Sequence, residues 1–328
     1  MDPQYFIHKV GRGKDGAEAL TFDEAYEAGR LLLSGGFSPR QEGAFLMAMR
    51  VKSEEPQEIA GLVRALRESG RKLQPSFTPL EIPSYAGKQD AVNILPAAAL
   101  IARAAGVPIL IHGRKENPDR LGSEEIFESL GIPTKLPLEK LGPLFERTRF
   151  GFVRVDEFHP ALARFLSYKS EMGVRSTFFV ISRLANPAGS RRVLVPITHK
   201  PYFEKYEGAL KLVGVDRGIV FFSNEGEAEL PYHGALTAVV VEGAASRALT
   251  VKPDERIRFD DAMKIRPGPE ATLSILRGET SSAAALAIQT AGLYLFAHGL
   301  ADDLAAGVKF AYDALPSALE TLSSIQSA

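Results

Sequence analysis

The chain has 328 residues, of which 45% are hydrophobic and 24% charged, with a formal net charge of −1; these values are ordinary for a soluble globular protein and allow one large domain with a smaller one. The charge balance excludes a chain that is cationic throughout, and the absence of cysteine excludes disulfides and thiolate metal sites. Because neither a long apolar run nor an apolar signal-peptide segment occurs, we expect a cytoplasmic protein without a membrane span.

The N-terminal part of the chain predicts three short helices. Capping boxes begin two of them at Thr21 and Ser38, and Pro56 begins the third, which ends before Gly70. The third helix carries an apolar stripe at helical spacing, formed by Ile59, Leu62, Val63 and Leu66. Three capped helices in series indicate a small α-helical subdomain over residues 1–78, to which helices near 160–190 can be joined.

Beyond residue 78 the pattern changes to short β-rich runs separated by helical segments. The β-rich runs are VPILIHG, GIVFFSN and LTAVVVEG, and the helical segments cover 96–105, 123–130 and 204–213. An alanine-rich helical pattern follows over 269–323. This alternation is typical of an α/β domain with a mainly parallel central sheet covered by helices, which we expect over residues 79–328.

Charge is distributed unevenly along the chain. Lys and Arg exceed Asp and Glu over 147–217, whereas acidic residues are in excess from 218 onward. This asymmetry predicts a local field that attracts anions. Solvated helix faces are the alternative explanation.

Several motifs spread along the chain occur together in one known family. They are the helical opening SGGFSPRQEGAFLMAMRVKSEEPQEIAGLVRAL, FHPAL at 158–162, GVRSTFF at 173–179, NPAG at 186–189 and ILRGETSSAAALAIQTAGLYLF. Together they resemble the anthranilate phosphoribosyltransferases, which share their fold with the pyrimidine nucleoside phosphorylases, from about Thr21 to Leu322. The resemblance implies attack of an amine on C1 of phosphoribosyl diphosphate, with diphosphate leaving, in a site of backbone donors, cations and magnesium.

The sequence departs from this family at its phosphate-binding motifs. The family's glycine-rich turn is SYAGK at 84–88, in which side chains replace glycines. In the family's Asn-x-Ser-Thr loop Asn93 is kept, but Leu95 and Pro96 replace the two hydroxyl residues. The lysine of the family's Lys-His-Gly strand end is Ile111. The resemblance therefore implies that the diphosphate site is degraded.

The family's Asp-Glu metal pair maps onto Ala228 and Glu229, which leaves one carboxylate unless Glu225 or Glu227 substitutes. A single carboxylate holds magnesium weakly, so the metal would depend on the phosphates of the substrate. We therefore predict no metal site and no cofactor, except magnesium if phosphoribosyl diphosphate is still bound. The alternating glutamates are interpreted as the exposed face of a strand or turn.

The acceptor pocket implied by the resemblance is altered as well. His112 and His159 are kept, but Lys169 stands for the pocket arginine, and Arg114 and Arg183 replace uncharged residues. Anthranilate transfer is therefore not expected. Neither histidine has a carboxylate partner that the sequence reveals, so the catalytic residues stay unknown.

Six cations map onto one cleft if the fold holds, which favours a ligand with many phosphates. They are Lys88, Arg114, Lys115, Lys169, Arg175 and Arg183. The alternative is that some of them form structural ion pairs with Glu124, Glu125, Asp156 or Glu157. Tyr85 is a candidate to stack on a base, or packs at the edge of the loop. The predicted phosphate- or nucleic-acid-binding residues are Tyr85, Gly87, Lys88, Asn93, His112, Gly113, Arg114, Lys115, Ser123, His159, Lys169, Arg175 and Arg183.

We therefore predict that the chain binds nucleic acid through the basic cleft without sequence specificity. The resemblance further implies a homodimer that associates through the helical subdomain. This pattern of departures resembles the YbiB-type paralogous branch of the family, whose members are regarded as nucleic-acid binders. The alternative is an active glycosyl- or phosphoribosyltransferase with an altered acceptor. It is favoured by the retained Gly87, Asn93, Ser123, Arg175 and Asn186. A scaffold without a ligand is a third hypothesis.

Overall fold

The computed structural model describes residues 2–13, 15–115, 117–252, 254–257, 260, 263–264 and 268–328. It begins with four helices, α1 (Pro3–Val10), α2 (Phe22–Leu33), α3 (Pro39–Lys52) and α4 (Pro56–Ser69). The last three confirm the predicted helices, and both predicted capping boxes form, at Thr21 and at Ser38. Such caps satisfy N–H groups that a helix start otherwise leaves without partners.

The rest of the chain builds a seven-stranded sheet in the order β3-β2-β1-β4-β5-β6-β7. The first five strands in this order run parallel, and β6 and β7 add an antiparallel hairpin, so the mainly parallel sheet is confirmed. The strands are β1 (Leu80–Ser84), β2 (Ile109–Gly113), β3 (Phe150–Arg154), β4 (Arg192–Ile197), β5 (Arg217–Phe222), β6 (Leu236–Glu242) and β7 (Ala245–Val251).

Helices cover both faces of the sheet, as predicted. They are α5 (Leu95–Ala104), α6 (Ser123–Ser129), α7 (Leu138–Thr148), α8 (Val155–Phe158), α9 (Pro160–Met172), α10 (Phe178–Ile181), α11 (Tyr202–Val213), α12 (Gly268–Leu276), α13 (Ser282–His298), α14 (Leu304–Ala314) and α15 (Ala318–Gln326). No helix within the described ranges combines the length and hydropathy of a membrane span.

The core consists of two apolar clusters, one on each face of the sheet. One contains α5 and α13 side chains, and the other joins the N-terminal helices to the sheet. Helices α9 and α10 belong to the second cluster, where the rings of Phe165 and Phe178 stack at 4.1 Å. Because this cluster also includes Leu110 and Val193 from the strands, the domain boundary at residue 78 stays a prediction.

The parallel strands end along one edge of the sheet, where ligands bind in open α/β folds. The register pairs Ser84 with Gly113, and Ile197 with Phe222. The segments that follow β1, β2, β4 and β5 therefore meet at this carboxyl edge, which becomes the candidate site.

Two glycines bring α13 and α14 into backbone contact. A Cβ on Gly307 would lie 2.3 Å from the carbonyl oxygen of Gly292, and one on Gly292 would lie 2.6 Å from the backbone nitrogen of Val308. Real Cβ atoms do not approach backbone this closely, so any larger residue must separate the helices.

Gly307→Ala is therefore expected to lower the free energy of unfolding by about 1–3 kcal/mol, the range for overpacking a tight contact. Urea unfolding monitored by circular dichroism measures the change. The matched control is Gly43→Ala in α3, where a Cβ meets nothing within 4 Å and helix propensity favours alanine by up to about 1 kcal/mol. Equal effects of the two substitutions would contradict this packing.

Candidate functional site at the carboxyl edge of the sheet

The turn at 84–88 lies at the carboxyl end of β1, and glycines fix its shape. Gly87 has φ +64°, a conformation that residues with a side chain rarely adopt. A Cβ on Gly113 would lie 1.7 Å from the carbonyl oxygen of Ser84, so β2 can reach the turn only with glycine there. All five residues of the turn are buried.

Lys88 does not face an open cleft, contrary to the prediction. Its Nζ lies 2.9 Å from Oε2 of Glu229 and 3.3 Å from Oε1 of Glu225, and the residue is 2% exposed. Its ammonium also lies 4.9 Å from the ring centroid of Tyr232. Burial by itself lowers the pKa of Lys88, but the two carboxylates outweigh burial and raise it above its ordinary value. The lysine is therefore a charged, fully compensated buried group.

The carboxylates come from residues 224–230, here called the glutamate loop, which follows β5. Glu227 accepts a hydrogen bond from the backbone N–H of Gly87 at 2.6 Å and another from Ser84 Oγ at 2.8 Å. Glu229 accepts hydrogen bonds from the first N–H groups of α5, those of Ile94 at 2.7 Å and Leu95 at 2.9 Å. A helix N-terminus favours such an anion.

Glu225 completes this arrangement by accepting hydrogen bonds from three successive backbone N–H groups, those of Gln89, Asp90 and Ala91. The three glutamates are 8%, 1% and 1% exposed in chain order, so the interpretation of an exposed glutamate face is wrong. Alternation in sequence does not reveal burial here, because the glutamate loop is not a strand.

The three carboxylates differ in charge compensation. Burial would raise the pKa of Glu225, but Lys88 and the backbone N–H groups of Gln89 and Asp90 outweigh it and hold that pKa below its ordinary value. Burial raises the pKa of Glu227, because its contacts are a hydroxyl and an amide and not a cation.

His112 has a buried acidic neighbour, Glu81, that the sequence does not reveal. Its Nδ1 lies 3.1 Å from the Tyr85 hydroxyl, and its Nε2 lies 3.7 Å from Oε2 of Glu81. Burial lowers the pKa of His112 to about 3 and raises that of Glu81 to about 8, so both are neutral at pH 7. Tyr85 is 3% exposed with its ring edge on His112, which contradicts a stacking role for it.

A small space of about 10 Å³ remains beside the turn. Five of the predicted site residues meet there or at its wall, because the segments after β1 and β2 converge: Tyr85, Gly87, Arg114, Lys115 and Ser123. Asn93 is held next to it, with Nδ2 3.1 Å from Ser123 Oγ. Such a volume holds about one water molecule.

The cations at this space have acidic neighbours. Arg114 lies 3.9 Å from Asp156, and Lys115 lies 2.8 Å from Glu125, so the alternative of structural ion pairs is confirmed for both. The predicted convergence of six cations on one cleft is therefore wrong. The physical reason is that the fold places a carboxylate beside each of Lys88, Arg114 and Lys115.

His159 and Lys169 lie at the two ends of α9. His159 caps α9, since its Nδ1 accepts a hydrogen bond from the Leu162 N–H, and its Nε2 lies 3.1 Å from the carbonyl oxygen of Leu66. Lys169 is half-buried in the last turn of α9, and among the described residues it lines neither the small space nor the larger cavity described next.

Arg175 and Arg183 lie in a larger cavity of about 370 Å³ between α3, the α9–α10 segment and the end of β4. We call it the arginine cavity; it is lined by Arg50, Glu54, Arg175, Ser176, Phe179, Val180, Arg183, Pro196, Ile197, Thr198, His199, Tyr202 and Tyr206. Arg50 Nη1 donates to the carbonyl oxygen of Arg175 at 2.6 Å, and Arg183 Nη1 to that of Phe179 at 2.9 Å. Three guanidinium groups and three aromatic rings thus surround one space.

The sequence did not point to Arg50, Glu54, His199 or Tyr202. Glu54 is 3% exposed and accepts hydrogen bonds from Thr177 Oγ1 at 2.6 Å and the Tyr202 hydroxyl at 3.4 Å. The sequence does contain one signal for this cavity, the THK segment directly after β4. Segments at the carboxyl ends of parallel strands line ligand sites.

The arginine cavity and the turn adjoin at Gly226 of the glutamate loop. A Cβ on Gly226 would lie 3.3 Å from Cβ of Ala86 and 3.7 Å from Nη2 of Arg183. Gly226 has φ +91°, so both its conformation and its surroundings favour glycine. Gly226, which has no side chain, therefore separates the arginine cavity from the turn; these are the two halves of the site.

Magnesium does not fit the observed arrangement. The Lys88 ammonium occupies the space between Glu225 and Glu229, where a cation would be coordinated. Among the described residues, no group of three or more acidic or histidine side chains could hold a metal ion. The chemistry of this site is therefore derived from the side chains and backbone groups of the chain itself.

Glu81→Gln is expected to change how stability depends on pH. The pKa of Glu81 is about 8 in the folded protein, whereas an unfolded glutamate titrates at about 4.3. The stability due to the neutral carboxyl is complete below the unfolded pKa and is lost as the pH rises from there through about 8. The variant lacks this loss, so it should gain stability relative to the wild type as the pH rises from about 4.3 to about 8, with little further change above that. Urea unfolding at several pH values tests this, and parallel pH profiles would contradict it.

Family models and known proteins match this chain over most of its length. Residues 4–70 match the model "Glycosyl transferase family, helical bundle domain", and residues 86–318 match "Glycosyl transferase family, a/b domain". Anthranilate phosphoribosyltransferase of Thermus thermophilus is 33% identical over 309 residues, 92% of each chain. A crystal structure of the enzyme from Thermus thermophilus aligns with a TM-score of 0.84 at 30% identity, covering 100% of this chain and 99% of that one.

A structure of anthranilate phosphoribosyltransferase from Saccharomyces cerevisiae in complex with PRPP and Mg shares the fold. Its TM-score is 0.78 at 15% identity, covering 99% of this chain and 98% of that one. The resemblance inferred from the motifs is thus confirmed, whereas membership of the YbiB-type branch stays a prediction.

These relatives contradict the prediction of a nucleic-acid- or DNA-binding protein without transfer activity, because they are named for a phosphoribosyl transfer. The geometry explains the error, since three cations assigned to a polyanion face carboxylates of the same chain. Both family models match in chain order, and an enzyme 33% identical aligns with 92% of the chain. The chain therefore belongs to the glycosyl transferase family that combines a helical bundle domain with an a/b domain.

Proposed function

We propose that the chain transfers a glycosyl or phosphoribosyl group to an aromatic acceptor that carries an acidic group. The acceptor lies in the arginine cavity, and the anionic part of the donor lies at the turn. The observation that carries this proposal is the position of the cavity, which adjoins the turn across Gly226. A transferase gains most of its rate by holding donor and acceptor next to each other.

The lining of the arginine cavity supports an acceptor of this class. Guanidinium groups bind carboxylates or phosphates through paired, charge-assisted hydrogen bonds. Phe179, Tyr202 and Tyr206 supply faces and edges for an aromatic ring. The buried Glu54 carboxylate adds an acceptor for an amine or hydroxyl proton. Anthranilate, which has a ring, a carboxylate and an amine, is the first acceptor to test, because the relatives are named for it.

Phosphoribosyl diphosphate is the first donor to test, since it is the donor named with the yeast structure. The backbone N–H group of Gly87 at the turn is suited to the charge that develops on a leaving diphosphate. Arg114 and Lys115 line the small space and would add positive charge there. The magnesium named with the yeast structure does not fit between the glutamates here, so we assign it no role.

Arg183→Gln is expected to raise the acceptor KM by about ten- to a hundredfold, the cost of about 1.5–3 kcal/mol for one charge-assisted hydrogen bond. The measurement is phosphoribosyl transfer from labelled donor to anthranilate and related aromatic acids, with each acceptor titrated. Arg277→Gln, an exposed arginine at the end of α12, is the matched control and should behave as the wild type. Transfer that is unaffected by Arg183→Gln would place the acceptor elsewhere.

We further propose that two copies of the chain associate through the helical bundle, as predicted. Helix α3 presents apolar residues to the outside, where Met47 is 37% exposed and Val51 79% exposed, and Tyr5 of α1 is 44% exposed. Exposed apolar side chains grouped on one face favour an interface between proteins.

The double variant Met47→Glu/Val51→Glu is expected to sediment as a monomer, because two carboxylates would have to be buried in the interface. Sedimentation velocity compares it with the wild type, expected to be a dimer. Leu212→Glu, at a residue 52% exposed on α11, is the control and should remain dimeric. A monomeric wild type, or a dimeric double variant, would refute the proposal.

A further inference from the structure

The groups that would bind the phosphates of a donor are already occupied by side chains of the same chain. The Gly87 N–H and Ser84 hydroxyl donate to Glu227, and the N–H groups at the start of α5 donate to Glu229. The Lys88 ammonium lies between Glu225 and Glu229. The anionic and cationic groups bound at the turn are thus side chains of the same chain.

The remaining space is too small for a donor. It measures about 10 Å³, which is about one water molecule and far less than a diphosphate requires. Glu227 itself lines this space, together with Ser84, Gly87, Arg114, Lys115, Ser123 and Glu124, whose carboxylate pairs with Arg154. An incoming anion that uses these donors must therefore take the place of the Glu227 carboxylate.

Glu227 is the member of the glutamate loop that can leave at the lowest cost. Glu225 and Glu229 are held by Lys88, whereas among the described residues no cation forms an ion pair with Glu227. Burial raises the pKa of Glu227 and outweighs its hydrogen bonds to Gly87 and Ser84, in keeping with the lack of an ion-pair partner among the described residues. Gly226, the residue before it, has φ +91°, a conformation that glycine adopts without strain.

A diphosphate at the turn would be better compensated than Glu227 is. Arg114 and Lys115 line the same space, and both side chains are 27% exposed, so they can reorient from their surface partners. Phosphate oxygens accept hydrogen bonds from backbone N–H groups of such a turn as readily as a carboxylate does.

We propose that Glu227 is an internal ligand that closes the donor-anion site, and that a diphosphate group binds by displacing it from Gly87 and Ser84. This inference rests on the proposed function, because it assigns the turn to the donor. Glu227 is then a residue that limits donor affinity and not a catalytic residue. The turn that departs from the glycine-rich family pattern still binds an anion, but the anion belongs to the chain.

Titration of inorganic diphosphate by isothermal calorimetry, without divalent metal, tests the proposal in the full chain. Glu227→Gln removes the competing charge with little change in shape, and Glu227→Ala also removes the bulk. Both should bind diphosphate at least about tenfold more tightly than the wild type. Glu204→Gln, an exposed residue of α11, is the control and should match the wild type.

Adding Lys115→Ala to Glu227→Gln locates the binding site. The double variant should lose most of the gained affinity, because Lys115 lines the space that Glu227 vacates. If the Glu227 variants unfold at the wild-type temperature and bind diphosphate no more tightly than the wild type, the proposal is refuted. A gain that persists fully in the double variant would also refute it, since diphosphate would then bind elsewhere.

The calorimetric test needs neither an acceptor nor turnover, so the two proposals can fail separately. Tighter diphosphate binding by Glu227→Gln without transfer by any variant would refute the proposed function and support the displacement of Glu227. Transfer by the wild type, with no effect of the Glu227 variants on diphosphate binding, would support the proposed function and refute the displacement of Glu227.

Discussion

The contact of the Lys88 ammonium with Glu225 and Glu229 holds the carboxyl edge of the sheet together. It links the turn after β1 to the glutamate loop after β5, and Glu229 in turn binds the start of α5. An ion in the interior is stable only when opposite charges and hydrogen bonds compensate its lost hydration. These ionic contacts therefore couple the three segments, and the narrow space beside the turn follows from their positions.

The two halves of the site differ in electrostatic character. At the turn, charges of the chain compensate one another, whereas the arginine cavity has three guanidinium groups and Glu54 as its buried carboxylate. Gly226 separates them with no side chain between. Under the proposed function, the arginine cavity would take the acidic acceptor, and Glu227 closes the donor side at the turn. Residues of the arginine cavity would thus set the affinity for the acceptor, and residues of the glutamate loop would set the affinity for the donor.

The prediction of a polyanion-binding cleft failed because it mapped six cations onto one cleft without the acidic neighbours that the fold gives them. Lys88 is separated by 141 residues from Glu229, which neutralises it, and Lys115 is paired with Glu125 on the next helix. Arg175 and Arg183 are cations of a different cavity. An excess of Lys and Arg along the chain predicts a field only if the acidic residues lie elsewhere in space, and here they do not.

The sequence by itself determined helices α2 to α4 of the bundle, the strand–helix alternation and the mainly parallel sheet, because caps and apolar periodicity are local and require no knowledge of distant segments. The family followed from the resemblance of several motifs spread along the chain. Only the tertiary structure decided that the alternating glutamates are buried, that Glu81 is the neighbour of His112, and that Arg50 joins Arg175 and Arg183 around one cavity. Desolvation and ion pairing depend on which segments come into contact in the folded protein. The sequence pattern of a single helix or strand does not contain that information.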